Sequence, residues 1–306
     1  MASIAKLTRP RLHHVVPRGR LFQRLDECRA YPMVWVCGPP GAGKTALAAS
    51  YVTEGKLGGA WYQVDADDRI PATLFHYMSQ AVRAPRRAAA LPMLGLEHES
   101  DLHGFARVYF RALFAQLRPP AVLVFDNCHE LPPDSELHAL LPVLVREVPE
   151  NVTVLVTSRG DPPATCAALR ATGTLVVIGW DELRLTREET RAESLLRLEL
   201  DEEMLNAVHA RSDGWAVGLT LTLEQFRRGD TPGASGTLGR EVLFDYFAGQ
   251  IFADMTDARR RVLTRCALLP SITAEQACQL CDDTNAATEL EELYRRRLFV
   301  DRRGDA

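Results

Sequence analysis

Met33-Val34-Trp35-Val36-Cys37-Gly38-Pro39-Pro40-Gly41-Ala42-Gly43-Lys44-Thr45 decides the reading of this chain. The first five residues are apolar and predict a buried strand. The rest match Gly-x-x-x-x-Gly-Lys-Thr, and a helical pattern opens at Thr45 and runs to Thr53. Strand, glycine-rich turn and helix form the setting in which a loop cradles phosphates. The glycines let successive backbone N–H groups turn onto the anion, and the helix N-terminus favours its charge. The lysine faces the β and γ phosphates, and the hydroxyl can ligate Mg²⁺. Gly38, Pro39, Pro40, Gly41, Ala42, Gly43, Lys44 and Thr45 are therefore the candidate residues for binding a nucleoside triphosphate with Mg²⁺. Lysine occurs at only two other positions, Lys6 and Lys56, so its presence in the loop is not a by-product of a lysine-rich chain.

Outward from the loop, four more short apolar runs read as buried parallel strands: Ala60–Val64, Ala121–Phe125, Val152–Val156 and Leu175–Ile178. They lack strict alternation, as strands covered on both faces do. Helical patterns at Thr73–Val82, Leu102–Leu117 and Glu136–Glu147 fall between them, which predicts an α/β domain with a five-stranded, mostly parallel sheet. Val122-Leu123-Val124-Phe125-Asp126 reads as a Walker-B strand that delivers Asp126 to the metal beside Thr45. Asn127 follows, where many hydrolysing P-loop ATPases carry a second acid. An amide cannot accept the water's proton, so slow hydrolysis is expected. Glu130 is a candidate substitute, although a solvated acid at a helix start is the simpler reading. Val154-Leu155-Val156-Thr157-Ser158-Arg159 brings Arg159 to the same sheet edge, where it can face the γ-phosphate.

After Trp180 the pattern turns helical. Thr186 with Glu189 reads as a capping box, helical spacing continues to Leu198, and Glu202–Ser212 and Ala216–Arg227 follow. The stretch 229–236 is a linker by composition, and a last helical group runs from Glu241 to Arg297. It ends in a strand-like segment, Leu298–Asp301, and a turn. A strand without a partner leaves an open edge, so a fragment or truncated relative of a longer protein is expected. The expected division is 1–180, 181–235 and 236–306.

The 306 residues are 46% hydrophobic and 25% charged with a net charge of −4, which supports a packed core and gives no global case for nucleic-acid binding. The arginines Arg295-Arg296-Arg297 with Arg302 and Arg303 are the only local one. Seven scattered cysteines and no signal-like start predict reduced thiols in a cytoplasmic protein, and no apolar run reaches membrane-spanning length. Cys278 and Cys281 have zinc-like spacing but no second pair, and read as an apolar helical pair.

In this order the motifs resemble the ATPase module of STAND signalling proteins, most closely the bacterial maltose-regulon transcription activators and their large-regulator relatives. Leu7-Thr8-Arg9-Pro10 and Val16-Pro17-Arg18 look like the family's segment near adenine. Thr157-Ser158-Arg159 looks like its first sensor. Ser212-Asp213-Gly214-Trp215-Ala216 sits at its lid motif, and Leu290 to Val300 resembles its late helix and first wing strand. The resemblance implies a P-loop domain, a helical lid and a truncated winged helix, acting as a slow switch. ADP holds such modules closed; ATP and an inducer open them and permit self-association. It places Val16, Arg18 and Gly214 beside the nucleotide, with Lys44, Asp126 and Arg159 in catalytic roles. It also implies a C-terminal sensor and output region or partner, and no direct DNA contact by this part. Ala216 departs from the family's proline. Two other readings stay open: an efficient clamp-loader-like ATPase, and a DNA- or protein-interaction module that a nucleotide stabilises.

Overall fold

A computed structural model describes residues 4–12, 15–82, 90–132, 134–227, 252, 255–269, 271–295 and 300. Five strands form one sheet: β1 (Met33–Cys37), β2 (Gly58–Gln63), β3 (Ala121–Asp126), β4 (Val152–Ser158) and β5 (Leu175–Ile178). Their order is β2-β3-β4-β1-β5, with every neighbouring pair parallel.

Side chains of β1 alternate between two cores. Met33, Trp35 and Cys37 enter one with Tyr62, Phe75, Tyr109 and Phe125; Val34 and Val36 enter the other with Leu21, Leu25, Leu47 and Tyr51. Helices α3 (Pro71–Ala81), α4 (Leu102–Phe114) and α5 (Glu136–Arg146) supply the first core, and α1 (Gly19–Glu27) and α2 (Lys44–Glu54) the second. Helix α1 has no side-chain cap and no acid in its first turn, and its signal is the helical spacing of Leu21, Leu25 and Cys28 alone. Strand β2 starts two residues before its apolar run because Gly59, at φ +127°, lies against β3; a Cβ there would stand 1.9 Å from the Val122 carbonyl oxygen.

The chain divides into two compact units, Met1–Cys37 with Gly43–Leu183, and Gly38–Ala42 with Arg184–Ala306. The first contains the sheet, α1 to α5, α6 (Ala167–Ala171) and α7 (Trp180–Leu183). In the second, α8 (Arg187–Leu195) starts on the expected capping box: Thr186 N–H donates to Glu189 Oε2 at 2.9 Å, and Glu189 N–H to Thr186 Oγ1 at 3.2 Å. α9 (Glu202–Ser212) and α10 (Ala216–Arg227) follow at the expected bounds, and Leu185, Val208, Leu219 and Leu223 form a small core. Helices Asp257–Cys266, Ala274–Cys281 and Ala286–Arg295 pack around Val262, Cys266, Ala277 and Leu293. Cys278 and Cys281 lie against that core, and no group of three or more His, Cys, Asp or Glu residues with metal-binding geometry occurs among the described residues. The linker 229–236, His13 and His14, arginines 296, 297, 302 and 303, and the strand-like segment apart from Val300 lie outside the described residues. No described helix is long and apolar enough to cross a membrane.

Candidate functional site

Strand β4 lies between β1 and β3, and its register sets the site. Cys37 pairs with Ser158, and Phe125 with Val156, so the P-loop start, Asp126, Thr157 and Arg159 leave the sheet at nearly one level. In a parallel sheet the crevice at the carboxyl ends of the strands is where ligands bind.

The loop turns at Gly41 (φ +73°) and Gly43 (φ +83°), and Gly43 caps α2. Lys44 is buried at 8% exposure. Burial pushes its ammonium down from 10.5 to about 8; the positive charge of Arg159 pushes it further, against the pull of Cys37 and Asp126. No described carboxylate lies within ion-pair distance of Arg159. Two cationic side chains thus share a partly dry corner, the condition in which an arriving anion gains most.

Asp126, 2% exposed, is the meeting point of three elements. Thr45 Oγ1, from the first turn of α2, donates to its Oδ1 at 2.8 Å, and Thr157 Oγ1, from β4, donates to the same oxygen at 2.5 Å. Asn127 N–H donates to Thr157 Oγ1 at 3.0 Å. A carboxylate touching a hydroxyl is a hard-oxygen donor set suited to Mg²⁺. Thr157 was read only as part of the segment carrying Arg159; its role depends on the β3–β4 register, which a single sequence does not state.

Asn127 takes the left-handed conformation, φ +63° and ψ 39°. Asparagine, aspartate and glycine tolerate that conformation best, so the backbone accepts an amide or an acid here alike. Beyond it, His129 Nε2 stands 3.3 Å from Glu130 Oε1. That hydrogen bond holds the Glu130 carboxyl below its ordinary range, while burial, and then Arg159 and Lys44, hold the His129 imidazole low. His129 Nδ1 is buried without a described hydrogen-bond partner. His129 escaped the sequence reading; its signal is an imidazole three residues past the strand-end acid.

Val16 and Arg18 immediately precede α1, with Arg18 buried. The neighbouring expectation for Leu7-Thr8-Arg9 is corrected: these residues border the start of β2, three strands from β1, and Lys6 binds Asp65 and Asp68, each at 2.7 Å. Gly214, at φ +72°, has a packing reason of its own. A Cβ would meet the Leu185 carbonyl oxygen at 2.8 Å, and Leu185 N–H donates to the Gly214 carbonyl at 2.8 Å.

A family model described as the MalT winged helix domain matches residues 248–306. The HTH-type transcriptional regulator MalT of Serratia proteamaculans is 29% identical over 317 residues, covering 99% of this chain and 34% of that protein. Its namesake in Vibrio cholerae is 29% identical over 308 residues, covering 97% of this chain and 34% of that protein. The chain resembles the MalT regulators. It spans about a third of their length. Among solved structures, the Walker-type ATPase PABY2304 of Pyrococcus abyssi aligns with a TM-score of 0.55 at 14% identity, covering 90% of this chain and 95% of that one. The Aeropyrum pernix ORC1 protein, solved in complex with DNA, aligns at 0.52 and 14%, covering 93% and 85%. The fold is that of a P-loop ATPase followed by a MalT-type winged helix.

Proposed function

We propose that this chain is the nucleotide-responsive switch of a MalT-like transcription regulator, taking ATP or ADP with Mg²⁺ and hydrolysing ATP slowly or not at all. The carrying observation is Asp126, on whose one carboxylate oxygen the hydroxyls of Thr45 and Thr157 converge. The donor set fits the ligand: Lys44 and the loop N–H groups for the phosphates, and Thr45 with Asp126 for the cation. Bound Mg²⁺ would supply charge neutralisation between the phosphates. Arg159, with no described acid to occupy it, is the candidate to read the γ-phosphate, and Val16 and Arg18 are the candidates beside the base. A contact that ATP makes and ADP lacks is the differential binding that any such switch needs.

The division 1–180, 181–235 and 236–306 belongs to this reading, as do a cytoplasmic setting and self-association in the ATP state. A sensor and output region would correspond to the part of the longer relatives outside the matched third, with DNA contact assigned there. Calorimetry with MgATP and MgADP, joined to a long hydrolysis time course, tests the proposal. Tight binding that Lys44→Ala abolishes, with turnover at or below roughly 10⁻² s⁻¹, is expected. No binding of either nucleotide overturns it. One observation favours a second reading, an efficient ATPase: the His129–Glu130 pair brings an acid within the electrostatic reach of Arg159. Turnover well above that rate, lost in Glu130→Gln, would establish it.

A further inference from the structure

A loop that turns its N–H groups onto an anion must turn its carbonyls away from it, and each such carbonyl then needs a donor. At the apex of this loop two consecutive carbonyls find donors in one short stretch of the same compact unit. Trp215 Nε1–H donates to the Pro40 carbonyl at 2.8 Å, and Val217 N–H, in the first turn of α10, donates to the Gly41 carbonyl at 3.1 Å. Helix starts have N–H groups to spare, so the second bond takes nothing from α10.

Glycines keep this contact possible. At Gly41 a Cβ would stand 2.7 Å from Val217 Cγ2 and 3.1 Å from Trp215 Nε1. At Gly218 a Cβ would stand 2.4 Å from Trp215 Cε3, so the indole lies in the space that glycine leaves. The backbone that carries the ring is fixed as well: the Trp215 main-chain N–H donates to the Ser212 carbonyl at 2.8 Å.

We propose that Trp215 is a positioning residue for the P-loop, holding the Pro40 carbonyl outward so that the loop's N–H groups are aimed at phosphate before it arrives. The proposal rests on the P-loop reading above and adds to it that α10 and loop occupancy are coupled. An anion that tightens the loop tightens the tether, and by linkage the tether raises affinity for the anion.

Inorganic pyrophosphate is the probe, because it has no base or sugar and meets only the phosphate-binding groups. Trp215→Phe keeps an aromatic ring but removes the donor, together with part of the indole that lies against Gly218. It should weaken pyrophosphate, ADP and ATP alike, by about five-fold, which is ~1 kcal/mol for one neutral hydrogen bond, measured at a temperature well below the variant's own melting transition. In the wild-type chain the Trp215 indole N–H resonance, identified by its loss in the variant, should move as pyrophosphate binds. Equal pyrophosphate affinity in wild type and variant, or a resonance that stays in place while pyrophosphate binds, overturns the tether and leaves the P-loop reading standing. If Trp215→Phe does not fold, the wild-type resonance decides, assigned by through-bond correlation from the Trp215 backbone to its indole. Failure of the wild type to bind pyrophosphate or nucleotide removes the P-loop reading and the tether with it.

Discussion

Lys44 offers the sharpest quantitative test, because its ammonium is already half lost at pH 8. Its pKa of about 8 reflects burial first and Arg159 second, against an ordinary value of 10.5. A phosphate chain brings negative charge to this group and favours the charged form, so binding should restore the pKa toward 10.5 and draw a proton from solution. If restoration is complete, uptake is about 0.1 proton at pH 7, about 0.5 at pH 8 and about 0.9 at pH 9. The terminal phosphate, with a pKa near 6, is fully ionised at pH 8 to 9 and contributes nothing there. Nucleotide titrations at each pH, in two buffers of different ionisation enthalpy, read the uptake directly. Affinity should fall with pH above 8, approaching tenfold per unit near pH 9 to 10. Arg159→Ala should move the onset upward by removing a positive neighbour.

The same shift fixes the sign for stability. Between pH 8 and 10.5 the unfolded chain binds more protons than the folded one, so nucleotide-free stability should rise with pH across that window. Below pH 8 the penalty of the buried charge is fully present. Lys44→Met should therefore stabilise the nucleotide-free protein at pH 7, by at most roughly 3 kcal/mol, and by much less at pH 10. Zero proton uptake at pH 9 together with pH-independent affinity from 8 to 10 would refute the placement of Lys44 against the phosphates.

Asn127→Asp suits the left-handed backbone and should raise hydrolysis if a missing base is the sole defect; a time course showing no gain would point to a second one. Thr157→Val removes a donor from Asp126 and the acceptor of Asn127 N–H, and should weaken Mg²⁺-dependent binding several-fold; unchanged Mg²⁺ dependence would separate Thr157 from the metal. Gly214→Ala forces a Cβ against the Leu185 backbone at a positive φ, and thermal unfolding should show a loss of about 1–3 kcal/mol.

What the sequence disclosed was local. The P-loop is contiguous, Asp126 closes an apolar run and Arg159 follows another by three residues, so chain order alone places them at strand ends. The capping box at Thr186 and Glu189 is equally local. What it withheld depends on pairing between distant segments. Thr157 becomes a partner of Asp126 only when β4 lies beside β3 in one register, and Trp215 becomes a partner of Pro40 only across 175 residues. Leu7–Arg9 was misplaced for the same reason: its pattern is sound, but the chain carries it to the β2 edge.

Whether the site holds its nucleotide or consumes it turns on where a base could come from. Attack by water needs a carboxylate that is unengaged and basic enough to take a proton. Asp126 already accepts two hydroxyls and is buried. Asn127 has no acidic group, although its left-handed backbone would accept an aspartate as well. Glu130 is ionised but bound to His129, and the bond that orients it also lowers its pKa, which weakens it as a base. The cations, by contrast, are well supplied for binding: a buried Lys44 and an Arg159 with no described acid beside it. Strong anion-binding groups with no competent base among the described residues favour a nucleotide that persists, and a persistent γ-phosphate is what a two-state signal requires.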